Sequence, residues 1–355
     1  MKKIISLALA LTMMLGLISF AGANETFELA LITDVGTIDD KSFNQGSWEG
    51  LEKFAVEHGI TYKYYQPAEQ SDIAYLDSIQ LAVEGGAKLI VTPGFLFETP
   101  IFTAQQMYPE IQFVLVDGVP HAGDYDLVVG ENTVGILYAE EQSGFLAGYA
   151  AVKEGYTKLG FMGGMAVPPV VRFGHGFVQG VEYAAKELGV EEATINYHYT
   201  GNFMPTPEAQ AMAASWYNDG AEVIFACAGG AGNSVMAAAE AAGTWVIGVD
   251  IDQSGESETV ITSAMKGLQS SVYQAIDGFY HGEGDAFPGG QVWELGADRD
   301  GVALPMATSR FTVFTQADYD AIFAALVDGS ISVDDDIGIS ADAIEVEVTV
   351  VTIIG

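Results

Sequence analysis

Short apolar runs recur along the chain, each followed by a loop and then by a stretch whose apolar positions return with helical spacing. FELALIT leads into a helical pattern from about Ser42 to His58, TYKYYQP into one from Ile73 to Val83, and AKLIVTPG into one from Phe97 to Tyr108. QFVLVDG is then followed by the short DLVVGEN. A long segment expected to be helical, GILYAEEQSGFLAGYAAVKEG, opens a second round. Here the expected strands are TKLGFMGGM, ATINYHYTG, AEVIFACAGG and TWVIGVDID, with helices near Phe173 to Leu188, Pro207 to Asn218 and Asn233 to Ala242. A further helix is expected from about Ser263 to His281, and the C-terminal AIEVEVTVVTIIG reads as a strand docked on a sheet. Alternation of this kind predicts an α/β protein whose parallel sheets are covered by helices on both faces.

Two such rounds predict two doubly wound, Rossmann-like lobes joined by a hinge, with a ligand crevice at the strand ends between them. The helix expected from about Ser263 to His281 and the mixed segment after it suggest that the chain crosses back. Residues 24–140 plus about 254–290 are therefore expected in lobe 1, and 141–253 plus about 291–355 in lobe 2.

The first residues change the picture of compartment. Two lysines precede an apolar run from Ile4 to Phe20 and then Ala21-Gly22-Ala23, the plan of a cleaved secretory signal over residues 1–23. An exported chain, periplasmic or at the cell surface, is the expectation, and no cysteine near the cleavage site offers a lipid attachment point. The single cysteine, Cys227, lies in the apolar run VIFACAGG and reads as a buried structural thiol.

Net charge is -35, from 48 acidic residues against 13 lysines and arginines. Such a surface repels nucleic acid and anionic membrane, so neither is expected as a partner. The scarcity of cations singles out Lys266, the one Lys or Arg between Lys186 and Arg299.

Enzymatic signatures do not emerge. There is no phosphate-binding G-x-x-x-x-G-K-[ST] loop, and CAGGAGNS lacks the dinucleotide spacing. Nor is there a G-x-S-x-G elbow. The five histidines, at 58, 121, 175, 198 and 281, have no metal-ligand spacing, and the acidic VDDDIG lacks the order of a calcium loop. No cofactor or metal is expected. What recurs instead at the carboxyl ends of strands is a set of carboxylates and aromatics: Asp34 and Phe43, Asp117 in VLVDG, Phe203 in YTGNF, and Asp250 with Asp252 in GVDIDQS. Any one of these could cap a helix or fill a core. Together with one lysine they suit a ligand that has both a ring and a polyol.

The motifs TDVGTIDDKSFNQGSWEGL, VLVDG, EEQSGFLAGYAA, LGFMGGMAVPPVVRFGHGFVQGV, GVDIDQS and ITSAMKGLQSSVYQAI together resemble the basic membrane protein family of ABC-transporter substrate-binding proteins, of the purine nucleoside receptor type. The resemblance runs from about Phe27 to Ile276. It implies the type I periplasmic-binding fold and, as partners, a purine nucleoside (adenosine, guanosine or inosine) and membrane permease subunits, with the binding protein itself a monomer. By position it implies that Phe43 and Phe203 sandwich the base and that Asp117 faces its polar edge. Asp250 and Lys266 would meet the ribose, while Asp34, Asn44 and the Gly229-Gly230 backbone complete the wall. Two departures stand out: the lipobox cysteine of many members is missing, and Met204 replaces the usual acidic residue after Phe203. Lys41, between acidic neighbours, is expected to be a surface ion pair. The alternatives are a sugar receptor of the same fold and a nucleoside-processing enzyme.

Overall fold

The computed structural model describes residues 26–124, 126–282 and 287–355, so the expected signal lies outside the described residues. Among the described residues thirteen strands run in chain order: β1 (Leu29–Ile32), β2 (Tyr62–Tyr65), β3 (Leu89–Pro93), β4 (Gln112–Val116), β5 (Thr133–Tyr138), β6 (Lys158–Gly163) and β7 (Ala193–Tyr199). There follow β8 (Val223–Cys227), β9 (Trp245–Asp250), β10 (Val260–Lys266), β11 (Gln291–Leu295), β12 (Val302–Ala303) and β13 (Thr349–Ile353).

They form two sheets, ordered β11-β5-β4-β3-β1-β2 and β12-β10-β9-β8-β6-β7-β13. Every pairing is parallel except β10 with β12. The central strands are apolar throughout because helices cover both faces: β1, β3 and β8 are buried at every position. Each sheet repeats one winding order, second-first-third-fourth-fifth. It reverses direction between β1 and β3 in one lobe and between β6 and β8 in the other. Loops leaving the carboxyl ends at such a reversal diverge and leave a crevice.

Sheet membership moves the expected lobe boundaries. The chain crosses after Tyr138, after Lys266 and after Leu295, because β10 stays in the second sheet and β11 joins the first. By sheet membership we take lobe 1 as the described residues of 26–138 and 268–295, and lobe 2 as 140–266 with 302–353. Two element expectations also change. Gly135–Tyr138 is strand, and the helix starts at Glu140; Ser263–Lys266 is strand, and the helix is Leu268–His281. In both places a strand runs with little or no turn into a helix, so apolar periodicity blurs. Hydrogen bonding to a neighbouring strand on either side decides the outcome.

The helices Glu140–Glu154 and Pro168–Leu188 lie against each other at backbone distance. Gly144 and Gly148 face the backbone of Phe173 and Phe177, while Gly176 and Gly180 face that of Glu141 and Phe145. This contact fixes the start of the first helix, where Glu140 sits, relative to Arg172 on the second. A methyl at Gly176 would stand 1.9 Å from the Glu141 carbonyl oxygen. Alanine gains about 1 kcal/mol of helix propensity over glycine, but here two backbones would have to separate, and overpacking typically costs about 1–3 kcal/mol or more. Gly176→Ala should therefore lower the urea midpoint, whereas Gly255→Ala, with no atom within 4 Å of the new methyl, should leave it nearly unchanged. Equal midpoints for the two variants would contradict this packing.

Candidate ligand-binding site

The loop after β1 turns on its carboxylates. Asp40 accepts hydrogen bonds from the backbone N–H groups of Ser42, Asn44 and Gln45 at 2.9, 3.0 and 3.1 Å. It so satisfies two of the free donors in the first turn of the Phe43–His58 helix, those of Asn44 and Gln45, which no side chain at the capping residue Ser42 does. Asn44 then donates from Nδ2 to Asp34 and to Asp40, both at 3.0 Å. Its Oδ1 is buried with no hydrogen-bond partner among the described residues. Burial pushes the Asp34 and Asp40 carboxyls upward, against the hydrogen bonds they accept from Asn44 and the backbone.

A second polar group forms where β4, β9 and β10 end. Asp117 and Asp250 both adopt left-handed backbone, with φ of 58° and 67°, a conformation that aspartate tolerates better than most residues but that still carries some strain. Each stands where its strand meets the crevice. Lys266 ends β10 and pairs with Asp117 across the lobes, while its Nζ lies 3.1 Å from Glu140 Oε1. Arg172 holds the other Glu140 oxygen at 2.6 Å. Asp250 accepts from Ser42 Oγ, again across the lobes. Burial opposes the Lys266 charge, but Asp117, Glu140 and Asp250 outweigh it and hold the ammonium firmly protonated. Burial also opposes the Glu140 charge, yet Lys266 and Arg172 bring its carboxyl below its ordinary value. Asp117 and Asp250 are less well compensated: burial pushes them up to about 7 and about 6 despite the attraction of Lys266.

All nine residues singled out in the sequence, Asp34, Phe43, Asn44, Asp117, Phe203, Gly229, Gly230, Asp250 and Lys266, line one cavity of about 280 Å³ between the lobes. Phe43 comes from lobe 1 and Phe203 from lobe 2. The Phe203 ring rests over Gly164, where any side chain would collide with it at 2.3 Å. The Lys266 ammonium stands 5.1 Å from the Phe43 ring centre, within range of attraction to the ring face. Asp117 Oδ1 is buried with no hydrogen-bond partner among the described residues. The cavity is therefore lined by an aromatic ring and by buried carboxylates from each lobe.

Some details differ from the expectations. Lys266 is paired with Asp117 and Glu140, and the partner of Asp250 is Ser42. Asp252 is absent from the cavity wall and serves a turn, accepting from Ser254 N at 2.9 Å and Thr308 Oγ1 at 2.6 Å. Lys41 reaches Glu256 of lobe 2 at 3.8 Å instead of its neighbours, and its carbonyl accepts from Gln253 Nε2 at 2.6 Å. Cys227 does border the cavity, but burial raises its thiol well above the ordinary value, which leaves it unreactive. Sequence reading passed over Glu140, Arg172, Ser42 and Gln253. Arg172 had a signal, since it too is an isolated cation, with no Lys or Arg between Lys158 and Lys186; the other three had none.

Two doubly wound lobes closing over a buried polar and aromatic cleft define a solute-binding protein of the type I periplasmic-binding fold. Comparison with known proteins agrees. Residues 27–326 match the family described as ABC transporter substrate-binding protein PnrA-like. The chain is 31% identical to the ABC transporter nucleoside-binding protein BmpA of Lactococcus lactis, over 86% of this chain and 88% of that one. It is also 31% identical to the CD4+ T-cell-stimulating antigen of Listeria monocytogenes, over 88% and 89%. Among solved structures, a solute-binding protein of an ABC transporter system from Aeropyrum pernix superposes with a TM-score of 0.70 at 24% identity, covering 87% of this chain and 88% of that one. The chain belongs to the PnrA-like family of ABC transporter substrate-binding proteins. It is a binding protein and not an enzyme.

The raised carboxyls make the stability of the fold sensitive to pH. A carboxyl whose folded-state pKa exceeds its unfolded value, roughly 3.9 for Asp, contributes stability below that value and loses it as pH rises to the folded pKa. For Asp250 the loss falls between about pH 4 and pH 6. Asp250→Asn, uncharged throughout, should therefore gain stability relative to the unsubstituted protein across that window, by on the order of 2–3 kcal/mol. Denaturant titrations of ligand-stripped protein at a series of pH values measure the difference. A difference that stays flat from pH 4 to pH 6.5 would mean that Asp250 is better solvated than its burial indicates.

Proposed function

We propose that this protein captures a purine nucleoside between its lobes and delivers it to the permease of an ABC importer. The observation that carries the reading is the pair Phe43 and Phe203, one from each lobe, lining the same cavity as Asp117, Asp250 and Lys266. Two aromatic faces suit a flat base, since stacking contributes about 1–3 kcal/mol per base. Buried carboxylates and an ammonium suit hydroxyl groups. Likeness to a relative that is itself named as nucleoside-binding supports the same choice.

The ion pair bears on how the ligand lies. Because Lys266 holds Asp117, these two with Asp250 form one polar end, which we assign to the ribose. Asp34 and Asn44 form the other, assigned to the polar edge of the base, and the Gly229-Gly230 backbone closes the wall. Asp117 thus moves from the base side to the sugar side. The chain acts as a monomer, exported by its N-terminal segment and held at the membrane through its permease. No helix among the described residues is long and apolar enough to cross a membrane.

Calorimetry tests the assignment. Adenosine, guanosine or inosine should bind at micromolar affinity or tighter, about -8 kcal/mol or stronger, and free ribose should bind poorly. Lys266→Ala should weaken nucleoside binding by roughly 1.5–3 kcal/mol, the range for hydrogen bonds to charged groups. Lys41→Ala should cost at most about 1 kcal/mol, because its side chain is exposed and its ion pair is long. Tight binding of ribose or another sugar with nucleosides inert would make the protein a sugar receptor. Equally small losses in the two lysine variants would remove Lys266 from the site.

A further inference from the structure

Away from the cleft, the structure brings His58 against Asp277 and His281, two side chains of one helix that lie far from it along the chain. His58 is the last residue of the Phe43–His58 helix, and His281 the last of the Leu268–His281 helix. Asp277 stands one turn before His281, its Oδ1 2.9 Å from His281 Nδ1. The two imidazole rings lie 4.5 Å apart, centre to centre. One potential ligand atom from each of His58, Asp277 and His281 lies within 4.8 Å of the others.

We propose that His58, Asp277 and His281 form a surface site for a borderline divalent transition metal, with Zn2+ as the reference ion. Two imidazoles and one carboxylate are the donors that Zn2+ and its neighbours prefer, whereas Ca2+ and Mg2+ require oxygen. With metal–ligand bonds of about 2.0 Å, tetrahedral ligand atoms stand about 3.3 Å apart. Small side-chain rotations, which the exposed imidazoles can make, open the 2.9 Å His281–Asp277 spacing and close the wider ones to that value. Phe54 limits how far they must move, since its ring packs against His58 at 4.4 Å and His281 at 5.7 Å. Two helix C-termini meet here, and their carbonyl ends favour a cation. Exposure leaves the fourth position to water or to a donor from another molecule.

The placement gives the site a structural sense. Both helices start beside the cleft, at Phe43 and just after Lys266, and His58 lies about 22 Å along its helix at 1.5 Å per residue. The metal would join the two chain segments of lobe 1 at the end remote from the ligand. Nucleoside affinity should therefore be indifferent to it, and the proposal is independent of the ligand assigned above.

Zn2+ titration of the exported chain by calorimetry, with millimolar Mg2+ present to occupy the many surface carboxylates, tests the site. One equivalent should bind, and His58→Ala, Asp277→Asn and His281→Ala should each weaken it at least tenfold. His198→Asn, in the other lobe, should leave it unchanged. Far-ultraviolet circular dichroism establishes that each variant is folded, and selective perturbation of the His58 and His281 ring signals in NMR spectra gives a readout that requires no variant. No stoichiometric uptake, or uptake undiminished by His58→Ala and His281→Ala, would overturn the proposal.

Discussion

The ion pair between Lys266 and Asp117 ties the last residue of a lobe 2 strand to the loop that leaves a lobe 1 strand. Three carboxylates, Asp117, Glu140 and Asp250, gather around this cation, and Arg172 is the only other cation among the groups named there. Removing one partner of a buried pair typically costs about 3–5 kcal/mol, because the other is left charged in a poorly solvating place. The joined arrangement of the lobes therefore depends on this group more than on the peripheral Lys41–Glu256 contact. The same group sets the chemistry of the cleft. Asp117 gives one oxygen to Lys266, and the other is buried at the cavity wall with no hydrogen-bond partner among the described residues.

Topology explains why these groups meet. Both sheets follow one winding order, so the loops after β4 and β9 occupy equivalent places in the two lobes. Each carries an aspartate in left-handed backbone, and each aspartate contacts a residue of the opposite lobe. The glycine-lined contact between the Glu140–Glu154 and Pro168–Leu188 helices then holds Glu140 against Arg172, with its other oxygen beside Lys266. Packing that is remote from the cavity thereby fixes the position of the Lys266 charge that lines it.

Much of this was legible in the sequence, for physical reasons that can be named. Strands buried on both faces read as unbroken apolar runs, and a doubly wound sheet opens its crevice at strand ends, so Asp34, Asp117 and Asp250 could be expected on the cavity wall, where the fold puts them. Rarity exposed Lys266. Glu140 stayed hidden because a glutamate at a helix start is ordinary, and only the fold shows it fully buried. The boundaries near 138 and 266 were blurred where a strand passes almost directly into a helix. The juxtaposition of His58 with His281 could not be read at all, since it depends on the chain crossing back to lobe 1 after Lys266.

The proposed ligand presents a base and a ribose to the cleft together. Mass spectrometry of whatever small molecule co-purifies with the exported protein, released by denaturation and quantified against protein, addresses it most directly. The account predicts an intact purine nucleoside at close to one per chain. A free pentose or hexose at that stoichiometry, with no base attached, would contradict it.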